Sequence, residues 1–145
     1  MFKHILLPTD GSPLSEAAMR KGIQFAKLLN AKVTGFCVVP ALPYVGCEAE
    51  IGADFKEQAE AAVQAEVNKN LLAIETAAKE AGVECETAKA KSAQPYEAII
   101  EAAAKKECDL IIMASHGRRG VGAILLGSET QKVLTHSKIP VLVYR

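Results

Sequence analysis

What most limits the fold of this chain is a repeated alternation between short apolar runs and longer stretches with a helical repeat. Ile5-Leu6-Leu7, stopped by Pro8, reads as a strand buried on both faces. Lys32 to Pro40 (KVTGFCVVP) is a second strand, again closed by proline. Val83 to Lys91 (VECETAKAK) alternates in polarity as an edge strand does, while Asp109 to Ser115 (DLIIMAS) is the most apolar run and therefore interior. The last run, KIPVLVYR, has Pro140 near its start, where a missing donor is tolerated.

The intervening segments carry helix signals. Ser12 is placed to cap a helix with Pro13 at its first position and Glu16 in its first turn, and Asn30 suits a left-handed stop. Leu14, Ala17, Ala18, Ile23, Phe25, Ala26 and Leu29 supply its apolar face. From about Asp54, steps of three and four through Phe55, Ala59, Val63, Val67, Leu71, Ile74 and Ala78 predict a long amphipathic helix ending at Gly82. Pro95 opens a third helix with Ile99, Ile100 and Ala103 inward, and Glu129 to His136 forms a short fourth. Between strand two and the long helix, residues 41–54 keep no period and are expected to be a loop.

Five strands alternating with four helices imply an α/β fold, a parallel sheet in a three-layer α/β/α sandwich with right-handed crossovers. The length of 145 residues suits a single domain spanning 1–145. In such folds ligands bind beyond the carboxyl ends of the strands, at the switch in strand order. The loops that matter are thus Pro8 to Ser12, Val38 to about Asp54, and Ala114 to Ser128.

Composition removes several function classes. The 17 basic side chains balance the 17 acidic ones, and aromatics make up only 5%. Nucleic-acid binding needs excess positive charge and often stacking platforms, so no nucleic-acid partner is expected. No apolar stretch nears the roughly 20 residues that span a bilayer, and the opening run is too short for a signal peptide. A soluble, cytoplasmic protein without a membrane partner is expected. Cys37, Cys47, Cys85 and Cys108 show neither CxxC nor Cys/His ligand spacing, and read as free thiols in a reducing compartment.

The chemistry concentrates in MASHGRRGVGAILLGSETQ, Met113 to Gln131. It matches neither GxxxxGK[ST] nor GxGxxG. Yet Gly117, Gly120 and Gly122 permit close backbone approach and positive φ, Gly127-Ser128 precedes a helix N-terminus, and Arg118 and Arg119 offer charge-assisted contacts to phosphate. A second use of the same residues stays open: Ser128-x-x-Gln131 fits a capping box that accounts for Ser128 without a ligand. His116 beside Gly117 is expected to shape the loop or hydrogen-bond there, not to act as a base. His4 and His136 look incidental, and Asp109 is expected to cap or solvate. Glu48, Glu50 and Asp54 cluster near the 41–54 loop, but spacing alone does not make a cation site, and metal ligands are expected to be none.

The segments ILLPTDGS, SHGRRGVGAILLGS and VLTHSKIPVLVYR together resemble the universal stress protein family, over essentially the whole chain. The resemblance implies an adenine nucleotide alpha hydrolase-like fold with strand order 3-2-1-4-5. It implies a nucleotide held by a G-x2-G-x9-G-[ST] motif, onto which Gly117, Gly127 and Ser128 fall, with Ala114 where the first glycine would stand. Pro8, Thr9 and Asp10 would line the ribose and adenine side, and the backbone of Val38 would contact adenine. Ala114 departs from the pattern, since its methyl opposes close approach and positive φ. Glu129 favours a helix N-terminus but would repel phosphate placed there.

The same resemblance implies ATP, with AMP or ADP as alternatives, Mg2+ carried on the phosphates, a homodimer through the C-terminal strand and an unidentified protein partner. The SGG-x-DS and HIGH loops of related enzyme classes are absent, and no lysine sits in the glycine loop. A regulatory stress-response module without dedicated catalysis is therefore expected. A dimeric interaction protein that binds no nucleotide, and a weak ATPase, are the alternatives.

Overall fold

A computed structural model describes residues 1–42, 52–118 and 125–145. Its elements run β1 (His4–Pro8), α1 (Pro13–Leu29), β2 (Lys32–Pro40), α2 (Ala53–Ala81), β3 (Cys85–Ser92), α3 (Pro95–Lys105), β4 (Leu110–Ala114), α4 (Ser128–His136) and β5 (Val141–Tyr144). The strands form one sheet in the order β3-β2-β1-β4-β5, and every pairing is parallel. β1 is registered with β2 on one side and β4 on the other, so the order reverses beside it.

Alternation along the strands divides the core into two layers. Ile5, Leu7, Val33, Leu110 and Ile112 point to the face covered by α1 and α2, where they meet Met19, Ile23, Ile74 and Ala78. Leu6, Phe36, Ile111 and Met113 point to the other face, under Ala98, Ile99 and Val133 of α3 and α4. Burying each such side chain contributes about 1.5–3 kcal/mol, so the three-layer arrangement follows from strands that are apolar on both sides.

The helix termini follow local chemistry. Ser12 accepts a hydrogen bond from the Ser15 amide, and Pro13 occupies the first helical position. Asn30 and Gly82 end α1 and α2 in the left-handed conformation (φ 53° and 72°). Three expectations need correction. At 29 residues and about 1.5 Å per residue, α2 outruns the sheet. Its buried positions begin only at Val67, and Phe55 is 62% exposed instead of inward-facing. The capping box does not form either: Gly127 is the N-cap of α4, Ser128 lies inside the helix, and Gln131 donates through Nε2 to the Leu126 carbonyl.

His4 is the third correction, for it is not incidental. At the amino end of the sheet its ring is buried, with Nε2 2.7 Å from Thr34 Oγ1. Thr34 donates to Glu86, which also takes Lys106 Nζ at 2.7 Å. The Asp109 carboxylate accepts from the amides of Lys3 and His4, which joins the start of β1 to the approach to β4. Cys37, Cys85 and Cys108 are free thiols, as expected, and Cys47 lies outside the described residues. Among the described residues, no helix is long and apolar enough to cross a membrane.

Candidate functional site at the switch point

At the carboxyl end of β1 the backbone keeps one more sheet-like bond, from the Thr9 amide to the Phe36 carbonyl at 2.9 Å. It then turns sharply. Thr9 Oγ1 accepts from the Gly11 amide and lies 3.0 Å from Ser15 Oγ, which closes a small polar ring inside the turn. Gly11 is in the left-handed region at φ +76°, and a Cβ there would lie 2.6 Å from Oδ1 of Asn70 on α2. Both torsion and space thus demand glycine at this position.

Asp10 is the hinge of the site. One carboxylate oxygen accepts from the Ser12 amide at 2.9 Å, and the other accepts from the Arg118 amide at 3.0 Å, across to the loop after β4. Burial pushes the Asp10 carboxyl up, but hydrogen bonds from Ser12, the Arg118 amide and Ser15 outweigh it. Its pKa falls below the usual carboxylate value, and the group stays ionised at neutral pH.

The loop after β4 is shaped by crowding. A Cβ on Gly117 would run into Asp10 Oδ2, and one on Gly127 would sit 3.1 Å from the His116 Cα. Gly127 has φ −60°, and Gly117 is not among the positive-φ glycines, so both are needed for space and not for left-handed torsion. That corrects the expectation for Gly117. The same holds for Ala114, since Asn30 and Glu107 are the positive-φ non-glycine residues described. Nothing in the backbone at position 114 asks for glycine.

The ends of the loop are pinned. The Ser115 amide donates to the Tyr144 carbonyl, the Gly127 amide to the Ser115 carbonyl at 2.7 Å, and Thr130 Oγ1 to the Ala114 carbonyl at 3.0 Å. His116 is half-buried with Nδ1 3.2 Å from Ser115 Oγ, a loop-shaping role. These bonds hold the first turn of α4 against the carboxyl end of β4. The amides of Ser128, Glu129 and Thr130 precede its first intrahelical donor, Gln131, which bonds the Gly127 carbonyl.

Other side chains turn elsewhere. Glu129 does not hang over the α4 N-terminus: its carboxylate accepts from the Tyr96 amide of α3 at 2.8 Å and pairs with Lys132. The Arg118 guanidinium pairs with Glu66 of α2 at 2.5 Å. Pro8, Thr9, Asp10, His116, Gly117, Arg118, Gly127 and Ser128 therefore gather around the two facing loops, with Ala114 buried at the base. Val38 lies two residues past Phe36, the last β2 residue registered with β1, and its side chain packs toward the α3 layer. Arg119, Gly120, Gly122, Glu48 and Glu50 lie outside the described residues.

Sequence reasoning missed Asn70 and Glu66. They stand four apart on α2, hence on one helix face, and touch Gly11 and Arg118 respectively. A polar Asn within an otherwise apolar helical stripe was the available signal. Among the described residues there is no group of three or more His, Cys, Asp or Glu able to hold a metal ion.

A doubly wound parallel sheet with a carboxylate turn, two space-limited glycines and a helix N-terminus at its switch point defines an α/β domain of the class that binds small ligands at that point. The universal stress protein family matches residues 1–145, and the chain belongs to that family. It is 35% identical over 145 residues to universal stress protein MJ0531 of Methanocaldococcus jannaschii, covering all of this chain and 83% of that one. Among solved structures, MJ0577 of the same organism matches with a TM-score of 0.80 at 29% identity, over 99% of this chain and 95% of that one. A universal stress protein in complex with cAMP matches with a TM-score of 0.73 at 25% identity, over 99% and 97%.

Proposed function

We propose that this protein binds an adenine nucleotide between the loop after β1 and the loop after β4, and acts as a regulatory module without dedicated catalysis. The observation that carries this reading is the relative in complex with cAMP, which shares the fold along nearly its whole length. The local geometry fits such a ligand. The absence of a Cβ at Gly117 and Gly127 lets the loop after β4 lie close against Asp10 and against Ser115 and His116, and the first-turn amides of α4 are suited to phosphate oxygens. Asp10 offers an ionised acceptor for a ribose hydroxyl. The Glu129 charge that would oppose phosphate is engaged by α3 and Lys132.

ATP is the proposed ligand, with AMP or ADP as alternatives and Mg2+ carried by the phosphates. The test is direct: denature the purified protein and identify any released nucleotide, then scan melting with MgATP. Ligand at 100 times its dissociation constant adds about 2.7 kcal/mol, which raises Tm by several degrees for a domain of this size. No released nucleotide and no shift with millimolar MgATP would refute the reading.

The working unit is proposed to be a cytoplasmic homodimer joined through β5, open to a further protein partner. Of the two sheet edges, β3 carries exposed Lys89 and Lys91, charges that oppose pairing, whereas β5 is VLVY with Leu142 41% exposed. A monomer in sedimentation at micromolar concentration would refute it.

A further inference from the structure

Three contacts close a triangle around the candidate site. Asp10 ties the loop after β1 to the loop after β4 through the Arg118 amide. Asn70, buried on α2, lies against Gly11 in the first loop, and Glu66, one turn earlier on α2, holds the Arg118 guanidinium of the second. Two sides of this triangle are built into the protein. The Asn70 side is buried and fitted to a glycine that cannot be replaced, and the Asp10 side uses an ionised carboxylate on a backbone amide. The third side differs: the Glu66 and Arg118 side chains are 46% and 53% exposed. Exposed ion pairs contribute little and exchange readily for another anion.

We infer that Glu66 acts as an internal competitor for the phosphate of the nucleotide, holding Arg118 against α2 until a phosphate oxygen takes its place. The inference rests on the nucleotide-binding reading and gives it a regulatory consequence. The guanidinium is a planar fork that suits carboxylate and phosphate alike, so the two acceptors compete for one donor set. Its backbone amide stays with Asp10 in either arrangement. Phosphate capture then breaks the link between the loop and α2 without opening the loop-to-loop link. Ligands with phosphate release α2 from the loop, and the bare nucleoside does not.

The experiment is a calorimetric titration of the wild type and Glu66→Gln with MgATP, AMP and adenosine. Glu66→Gln removes the competing charge at an exposed position and keeps the fold. Affinity for AMP and MgATP should rise by about two- to fivefold, the range that an exposed pair supports, with adenosine unchanged. Arg118→Gln supplies the control for general electrostatics: in that background Glu66→Gln should have no further effect on phosphate ligands. Unchanged or weaker AMP binding in Glu66→Gln would overturn the inference. So would an equal gain for adenosine, or a gain that persists without Arg118, which would show a through-space charge effect. If neither the wild type nor Glu66→Gln binds any of the three ligands, the nucleotide reading itself falls.

Discussion

The carboxylate of Glu129 on α4 accepts the amide of Tyr96 on α3 at 2.8 Å, so one helix supplies the cap of another. The Gln94 cap residue of α3 makes no side-chain capping bond of its own, and Tyr96 is the second residue of that helix. The Tyr96 ring also packs on His136 of α4, with centroids 5.4 Å apart. Replacing Glu129 with Ala should therefore cost about 1 kcal/mol, the usual value of an N-terminal cap. Gln should cost less, since it retains an acceptor. Urea unfolding of the two variants gives the comparison, and equal losses would show that the cap is not the source.

Gly117→Ala should weaken stability and binding together. Its Cβ would displace the Asp10 carboxylate, the far end of a side chain that can rotate away, and break the bond to the Arg118 amide. A hydrogen bond to a charged group is worth about 1.5–3 kcal/mol, so stability should fall by up to that order, and AMP affinity should fall as the two loops lose their link. Calorimetry beside a melting curve measures both.

Ala114→Gly, which restores the motif, is expected to destabilise without improving the site. The residue ends β4, its backbone needs no positive φ, and it is buried at 7% exposure. Glycine there costs about 0.5–1 kcal/mol through backbone entropy. AMP affinity should be unchanged. A clear gain in affinity would mean that the methyl does reach the ligand.

Acidification should weaken the fold through His4. Burial lowers its pKa from 6.5 most strongly, Lys32 of β2 adds to this, and Glu86 of β3, the Lys106 carbonyl and Asp109 oppose it without reversing the sign. The unfolded chain thus takes up a proton that the folded chain refuses. This contribution is complete above pH 6.5 and declines as pH falls from 6.5 toward the folded value. Urea midpoints at pH 7.5 and 5.5 should differ, and His4→Gln should reduce the difference.

The strand and helix order was legible because apolar runs and helical steps report burial locally, one residue type at a time. Ser12, Asn30, Gly82 and Pro95 gave correct helix ends for the same reason. Phe55 misled because periodicity records which face of a helix is apolar, not how far the sheet beneath it extends. Ser128 misled because a capping pattern cannot tell the first helical residue from the one before it. The glycine spacing identified the loop, but its reasons lay in partners distant in sequence: Asp10 against Gly117, Glu129 on Tyr96, Glu66 on Arg118. No local pattern encodes such pairs.

The bonds from Lys3 and His4 to Asp109 join residues 106 and 105 positions apart. β1 precedes the other four strands in sequence, yet it occupies the middle of the sheet and needs β4 for its second edge. Until residue 109 and the strand after it have emerged, that edge has nothing to pair with. Contacts this distant in sequence slow folding, and the earliest of these five strands gains its second neighbour only when three of the other four have been made.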